Sequence, residues 1–598
     1  MDIQTEPLDA YMVTWQVELE FGGMTTVCLQ RAAAFAERYG HASVVTFNAD
    51  PAYEVVLQSL RERGKLSEKV RHVNFYEHLA AHPLKPQAKL AAAKFVPEHT
   101  GFRAAFSNTY LDSDTATFSE QSYAGPEKEV ERKSYFRRNG TVYLTDTKFP
   151  SGGTERRLLE VVNESGAVTA RFSSAAALYR YWLSELVDHE HSLVVVDSKF
   201  SAKFLSAWNT VHVPKLFAFH STHVKAGQNL LTGALADGHA PMIEQRAKWD
   251  GFVFLTEAQR SAYVARFGDA ERTFVVPNPV RSGHIDPPLP QRNPAHLIAA
   301  GSLTVNKNVA ASIKVVAELK KRGLEATLNV VGQGSQLNAL EQLASDLEIR
   351  DNIVFHGYSD QLPRHFAASA IHLLTSTNEG QALVLIESQQ QGCVPVSYDI
   401  NFGPADSITD GHNGFLLPHG DITAMADKAE ALIRDQELAA RMSANARKFA
   451  EDWASRDIVA LWIETRDEAA RLKKSGSHEQ LAAFTADLQG MDFLDGSVKI
   501  RFAHGVPAPV TGQFELVLIG RDSKEVLASI PASEVAAENA AFTVSTEILA
   551  QPGAADAIGD ASVKFSNGSS SETKRLRLAD PVLVPYLTAY NNLSIKRV

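Results

Sequence analysis

Two stretches of the chain repeat one rhythm, short β-branched runs separated by helical segments, and this constrains the fold more than any other feature. The first opens with YMVTWQVELE, turns at FGGMTT and continues into VCLQRAAAFAERYG, where Gly40 is placed to stop a helix. ASVVTF follows, and the rhythm resumes with SLVVVDS, KLFAFH, GFVFLT and RTFVVPN. The second starts after the proline-rich RSGHIDPPLPQRNP and runs through HLIAAGSL, ATLNVVG, NIVFHG, AIHLLTS and VPVSYD. Such runs belong to parallel strands covered on both faces, so each stretch predicts a doubly wound α/β unit. Two units in tandem make a cleft. The helices from about Ile422 to Lys474 are expected to close it, the last crossing back toward the first unit.

Elsewhere the period falls to two. Between residues 85 and 172, SYFRRNGTVYLTD carries the hairpin signal Asn139-Gly140, and RLLEVVNESGAVTARF turns between Asn163 and Gly166. From Gly490 onward, strands split by Gly, Pro, Asn and Ser predict an antiparallel sandwich of about 100 residues. The expected organisation is therefore a first Rossmann-like domain from 1–84 and 173–285, with a β-rich insertion over 85–172. A second Rossmann-like domain spans 286–452, followed by a crossing helix over 453–475 and an all-β domain over 490–598. A chain of 598 residues has room for these.

Charge and cysteine usage narrow the partners. With 59 Lys and Arg against 70 Asp and Glu, the net charge of -11 repels nucleic acid, so an anionic substrate must meet a local basic patch. The two cysteines, Cys28 and Cys393, lie in apolar stretches and supply no thiolate zinc cluster. No apolar run reaches the roughly 20 residues that span a bilayer, and MDIQTEPLDAYMVTW has no secretory pattern, which predicts a cytoplasmic protein.

Candidate site residues fall where strands end, since ligands bind there in open α/β sheets. Gly22 and Gly23 follow the first strand, where a turn without side chains lets backbone amides approach a phosphate or sugar; a tight turn alone also explains them. His220 and His223 follow KLFAF, as hydrogen-bond donors, proton carriers or surface histidines. Lys307 stands near a helix start, where ammonium and helix dipole act on one anion. Gly332 and Gly334 repeat the glycine turn after ATLNVV. In STNEGQALVLIESQQQG, Glu379 falls at a helix start and Glu387 about two turns later on a similar face, an arrangement that capping and solvation also explain. Lys85, Lys89, Lys94, Arg103, Arg132, Lys133, Arg137 and Arg138 gather in the insertion as either a solvated face or a track for an anionic polymer.

Taken together, FGGMTT, HSTH, GSLTVNK, NEGQALVLIE and YDINFGPADSITDGHNGFLLP resemble the retaining, nucleotide-sugar-dependent glycosyltransferases of the GT-B fold, two facing Rossmann-like domains. Within these, the chain is most similar to the α-glycosyltransferases of wall teichoic acid, which decorate poly(ribitol phosphate) or poly(glycerol phosphate). GGMTTVCLQRAAAFAE, the insertion with YFRRNGTVYL, and YDINFGP carry that likeness, which spans residues 12 to 474 and leaves out the C-terminal sandwich.

The resemblance implies a UDP-sugar donor, UDP-glucose or UDP-N-acetylglucosamine, with no metal or other cofactor, and a polyol-phosphate polymer as acceptor. It implies that Glu387 accepts from the ribose hydroxyls, Glu379 addresses the donor sugar, and Lys307 neutralises the diphosphate with the amides of Gly380, Gln381 and Ala382. His223, with His220 as the weaker candidate, and the Gly22–Gly23 loop contribute from the first domain; uracil is expected around His356, Gly357 and Tyr358. Lys89, Lys94, Arg137 and Arg138 are the expected acceptor track. A homo-oligomer formed through the insertion, with a trimer as one form, and at most peripheral contact with the inner membrane face are also implied. A protein or lipid-linked glycan acceptor, or a weakly catalytic subunit partnering an active transferase, are the alternatives. One position departs from the family, which usually has an arginine where this chain has Ser302 after Gly301; that arginine shares the diphosphate with the lysine.

Overall fold

The computed structural model describes residues 8–19, 22–87, 103–108, 116–124, 131–151, 154–187, 191–210, 213–280, 292–474, 487–494, 497–506, 510, 512–519, 526–545, 559–567, 570–575, 577–578 and 594–595. The chain divides into two compact units, Met1–Ser221 with Val276–Ile463, and Thr222–Val275 with Glu464–Val598.

In the first unit, strands Val70–Asn74, Ala42–Thr46, Asp9–Val13, Ser192–Val196 and Lys215–Ala218 lie side by side in that order, all parallel. Every residue of Ala42–Thr46 and of Ser192–Val196 is buried, in keeping with runs whose only polar members are the small Ser43, Thr46 and Ser192. Helix Gly23–Tyr39 stops at Gly40, whose φ of 84° is the left-handed conformation that glycine adopts without cost. The direction of winding reverses between Asp9–Val13 and Ser192–Val196, so a crevice opens beyond their carboxyl ends.

A second parallel sheet has the order Ile353–Gly357, Thr327–Val331, Asn293–Ala300, Ser369–Leu374, Val394–Asp399, Phe415–Pro418. Its core joins Leu297, Leu328 and Val330 to Ile313, Val316 and Leu319 of helix Val309–Lys321, all fully buried. Here the winding reverses between Asn293–Ala300 and Ser369–Leu374. The two doubly wound sheets carry out the α/β expectation.

The insertion is a six-stranded antiparallel meander, Arg103–Asn108, Phe118–Ala124, Glu131–Arg137, Val142–Ser151, Thr154–Val162 and Val168–Phe172. Its predicted turns carry glycines with positive φ, 80° at Gly140 and 85° at Gly166. Helices Ile422–Arg434, Gln436–Ala454 and Ile458–Lys474 follow the second sheet. The last returns to the first domain as expected: the Arg31 guanidinium lies 4.8 Å from the Trp462 ring centroid, and Arg38 bonds Asp457 at 2.6 Å.

The second unit contains the parallel strands Gly251–Phe254 and Thr273–Val275 and helix Glu257–Phe267. Residues 222–275 cluster with the C-terminal residues, and Lys473 and the buried Asp250 pair at 3.0 Å within this unit. Two further sheets, antiparallel but for the short Asp487–Leu494 to Arg577–Leu578 pairing, bury Phe502, Phe514, Phe542 and Phe565 between alternating outward residues. Among the described residues, no helix is long and apolar enough to cross a membrane.

Candidate active site

Strands Asn293–Ala300 and Ser369–Leu374 are neighbours, so the loops leaving their carboxyl ends meet at the reversal of the second sheet. The first carries Lys307 in a short 3-10 turn ahead of helix Val309–Lys321; the second carries Glu379. Lys307 Nζ donates to Glu379 Oε1 at 2.6 Å, with both side chains mostly buried. Asn306 braces the two loops, taking the Thr377 amide on its carbonyl at 2.8 Å and giving its side-chain amide to the Asn378 carbonyl at 2.9 Å. Thr375 Oγ1 donates to the Asn308 carbonyl at 2.9 Å. Sequence reasoning missed Asn306 and Thr375, whose partners lie some seventy residues away.

The glycine turn after Thr327–Val331 has a different task from ligand approach. A Cβ on Gly332 would collide with the Gly301 carbonyl oxygen, and one on Gly334 with the Leu303 carbonyl. The two turns are pressed together, fixing the segment that leads through the exposed Ser302 to Lys307.

Glu379 does not open a helix. The helix begins only at Leu383, preceded by Ala382 in the left-handed conformation at φ 55°. The expectation of two glutamates on one helical face is therefore corrected: Glu379 belongs to a loop, and only Glu387 is helical. For a residue with a Cβ this conformation costs about 1–2 kcal/mol, and it turns Gly380, Gln381 and Ala382 inward, all buried. The Asn278 amide donates to Gln381 Oε1 at 2.9 Å, while Gly403 of the YDINFGP turn leaves no room for a Cβ against the Gln381 backbone. Gln381 Nε2 and Ser376 Oγ are buried without a hydrogen-bond partner among the described residues. Such donors are costly unless something polar arrives.

Two acid–base features lie beneath this loop. Burial pushes the half-buried Glu387 carboxyl above its ordinary range. Burial also pushes the His372 imidazole down to about 3, with Lys307 adding to the effect, so His372 is a neutral ring bonded through Nδ1 to Ser388 Oγ at 2.9 Å.

The predicted uracil residues sit at the edge of this sheet. His356 is exposed and bonds Asn329 Oδ1 at 2.8 Å, and the Gly357 carbonyl accepts from the Gly332 amide at 2.8 Å. At Tyr358, Lys65 from the first domain donates to the hydroxyl at 2.6 Å, bonds Asp360 and lies 5.2 Å from the ring centroid. Its ring is engaged by a lysine in this arrangement.

At the first sheet's reversal, Gly22 and Gly23 start helix Gly23–Tyr39, both exposed and with open space where a Cβ would stand. Asp197 follows Ser192–Val196 and is fully buried; it pairs with Arg31 and accepts from His220 Nε2 at 2.7 Å. Burial alone would raise the Asp197 carboxyl, but Arg31 and His220 hold it below the usual carboxylate range. His220 keeps 13% side-chain exposure and is the better placed of the two histidines. His223 corrects the expectation: it is fully buried in the second unit, bonded to the Leu230 carbonyl at 3.1 Å and packed on Tyr263 and Phe267. Arg31 and Asp197 went unread in the sequence, although an arginine among the apolar positions of a helix and an aspartate closing VVVDS were the available signals.

The predicted acceptor track is not borne out by Arg137. That residue is buried, and its guanidinium donates to the carbonyls of Ala80, Val142 and Val162 at 3.0–3.1 Å, fastening the insertion to the first domain. Arg138 is exposed, with Nε on the Ala116 carbonyl at 2.6 Å. Lys89 and Lys94 lie outside the described residues. Among the described residues no group of three His, Cys, Asp or Glu is placed to hold a metal ion.

Comparison with known proteins agrees with the fold. Residues 284–449 match the family Glycosyl transferases group 1. A poly(ribitol-phosphate) α-N-acetylglucosaminyltransferase of Staphylococcus aureus is 24% identical over 76% of this chain and 98% of its own length. A poly(glycerol-phosphate) α-glucosyltransferase of Bacillus subtilis is 21% identical over 81% of this chain and 80% of its own. The crystal structure of an S. aureus TarM variant in complex with fondaparinux, α-GlcNAc-glycerol and UDP superposes with a TM-score of 0.59 at 21% identity, covering 77% of this chain and all of that one.

Proposed function

We propose that this chain, a GT-B glycosyltransferase carrying a group 1 domain over residues 284–449, moves glucose or N-acetylglucosamine from its UDP derivative to a hydroxyl of a polyol-phosphate polymer, with retention. The observation that carries this reading is the Lys307–Glu379 pair at the switch point of the second sheet, beside buried donors on Ser376 and Gln381 that have no hydrogen-bond partner among the described residues. An incoming diphosphate gives those groups what they lack. Lys307 meets the charge that grows on the leaving phosphate, helped by the Ser376 hydroxyl and the amides of 380–382. Glu387 accepts from the ribose hydroxyls and Glu379 from the donor sugar. The glycosidic bond to phosphate breaks as the acceptor oxygen bonds the anomeric carbon on the same face, and the departing phosphate oxygen takes the acceptor proton. The protein's part is positioning and charge stabilisation, and the reading assigns no metal ion. His220, held by Asp197, addresses the donor sugar from the first sheet.

The proposal extends to work at the cytoplasmic membrane face and to self-association through the insertion sheet, which fractionation and light scattering test. The activity itself is tested by incubating the chain with UDP-glucose or UDP-N-acetylglucosamine and each polymer, following UDP release and reading the anomer by NMR. Glu387→Ala is expected to lower transfer by about 10²-fold. A β-anomer, or no transfer to either polymer, overturns the proposal.

A further inference from the structure

A cavity of about 480 Å³ lies apart from these loops, where strand Val70–Asn74 and helix Phe75–Ala81 of the first domain meet the insertion. His72, Glu77, His78, Thr117, Arg137 and Arg138 line it. Hydrogen bonds fix what some of these present. The Trp182 indole N–H donates to His78 Nδ1 at 3.1 Å, so in the neutral ring the proton sits on Nε2, which is a donor. His72 has 3% side-chain exposure, bonds Thr46 Oγ1 through Nε2 at 3.0 Å, and leaves Nδ1 buried without a hydrogen-bond partner among the described residues, 4.0 Å from Glu77 Oε2. Two guanidinium groups, those of Arg137 and Arg138, add fixed positive charge to the lining. Glu77 is the carboxyl in the lining, accepting from Thr117 Oγ1 at 2.9 Å.

Fixed positive charge and neutral donors call for an anion, and a hydroxyl-bonded carboxyl calls for hydroxyl groups beside it. Among the described residues the lining offers no Phe, Tyr or Trp face on which a base or a pyranose would stack. That combination fits an acyclic polyol bearing a phosphate. We propose that this cavity is a second acceptor subsite, holding one phosphodiester-linked polyol unit with its phosphate toward Arg138 and His78 Nε2 and its hydroxyls toward Glu77 and Thr117. The inference rests on the acceptor class proposed above. It places polymer recognition at the joint between domain and insertion, away from the reacting hydroxyl.

The carboxyl gives the subsite a pH signature. From the first domain Glu77 faces His72, His78, His82, Asp50 and Glu54, and from the insertion Thr117, Arg137 and Arg138. Burial pushes it up to about 7, with Glu54 and Asp50 adding to the rise against the Thr117 hydrogen bond. Below that pH it is a neutral donor beside the phosphate; above it, it becomes a repelling carboxylate. Phosphodiesters keep one charge throughout, so affinity falls as pH rises from 6 to 8.

The test measures binding of a glycerol-phosphate oligomer to the full chain by calorimetry at pH 6 and pH 8, with the thermal shift given by UDP as the control for folding and the donor site. Arg138→Ala is expected to weaken the oligomer about tenfold or more, and Glu77→Gln to abolish the loss of affinity between pH 6 and pH 8, both with the UDP shift intact. An oligomer that binds no tighter than inorganic phosphate overturns the polyol part. Unchanged affinity in both variants of a chain that glycosylates the oligomer overturns the subsite alone. Failure of the wild-type chain to bind the oligomer overturns the subsite together with the acceptor class.

Discussion

Lys307 and Glu379, 72 residues apart in the chain, close a 2.6 Å ion pair between loops that leave adjacent parallel strands. The carboxylate holds the ammonium where a diphosphate would need it, and it also repels that diphosphate. The two substitutions therefore separate. Lys307→Ala is expected to lower transfer by about 10²-fold and to weaken UDP. Glu379→Gln is expected to lower transfer while UDP binds as tightly or more tightly, since a neutral amide neither repels phosphate nor occupies the ammonium. Calorimetry with UDP alongside initial rates distinguishes these outcomes; parallel losses of UDP affinity in both variants would count against the assignment.

Ser302 is exposed and directly follows Gly301, whose backbone is pinned by the Gly332 turn. With serine there, that side of the site lacks the guanidinium the resembling family has. Ser302→Arg adds a fork of donors on a fixed backbone, and a charge-assisted contact is worth about 1.5–3 kcal/mol, so UDP affinity should rise by about tenfold or more. Thermal-shift titration with UDP reads this directly. No change would mean that position 302 does not face the diphosphate.

The architecture was legible because period and burial are local properties: runs buried on both faces, such as Ser192–Val196, cannot be mistaken for half-exposed strands. Lys307 and Glu379 were legible as residues at strand ends, but their contact was not, since it depends on which strands are neighbours. His220 and His223 show the limit clearly. Both follow the same strand with polar neighbours, yet only packing against Tyr263 and Phe267 buries one of them. Arg137 beside a hairpin glycine read as a surface charge, because two of the backbone carbonyls that hold it, those of Ala80 and Val162, belong to distant segments. Ala382 carried no signal, for nothing local announces a left-handed alanine.

Gly332→Ala tests how rigidly the Lys307 loop must be held. The added Cβ meets the Gly301 carbonyl, and the native φ of 146° disfavours any side chain. Either the turn or the 301–303 segment has to move, carrying Lys307 away from Glu379. A misplacement of about 1 Å can cost about 10²-fold in rate, so activity should fall far more than thermal stability. Gly323→Ala, a surface control with positive φ and open space, should lose a little stability and no activity.

The Arg31–Asp197–His220 chain should divide into a structural and a functional part. Asp197→Asn leaves the buried Arg31 guanidinium without its counter-charge, a loss of about 3–5 kcal/mol, visible as a lower unfolding temperature. His220→Ala removes the partly exposed end and should lower transfer by about tenfold with a small change in stability. His223→Ala should show the opposite balance, since that ring only fills the core around Tyr263. Equal effects of the two histidines on transfer would show that burial has been assigned to the wrong ring.

Glu77 should also write itself into the stability of the chain. Its carboxyl is pushed up to about 7 when folded, against about 4.3 in an unfolded chain. Between those values the folded state binds the extra proton, so the stabilisation is complete below about pH 4.3 and is lost as pH rises through about 7, amounting to at most about 4 kcal/mol. Glu77→Gln mimics the protonated form at every pH. Its unfolding temperature should lie close to the wild type near pH 4 and exceed it by a growing margin from pH 5 to pH 8, with all other titrating groups cancelling in the comparison. A difference that does not change between pH 5 and pH 8 would mean that Glu77 is already ionised at the lower pH, and that neither the cavity nor the joint with the insertion holds it protonated.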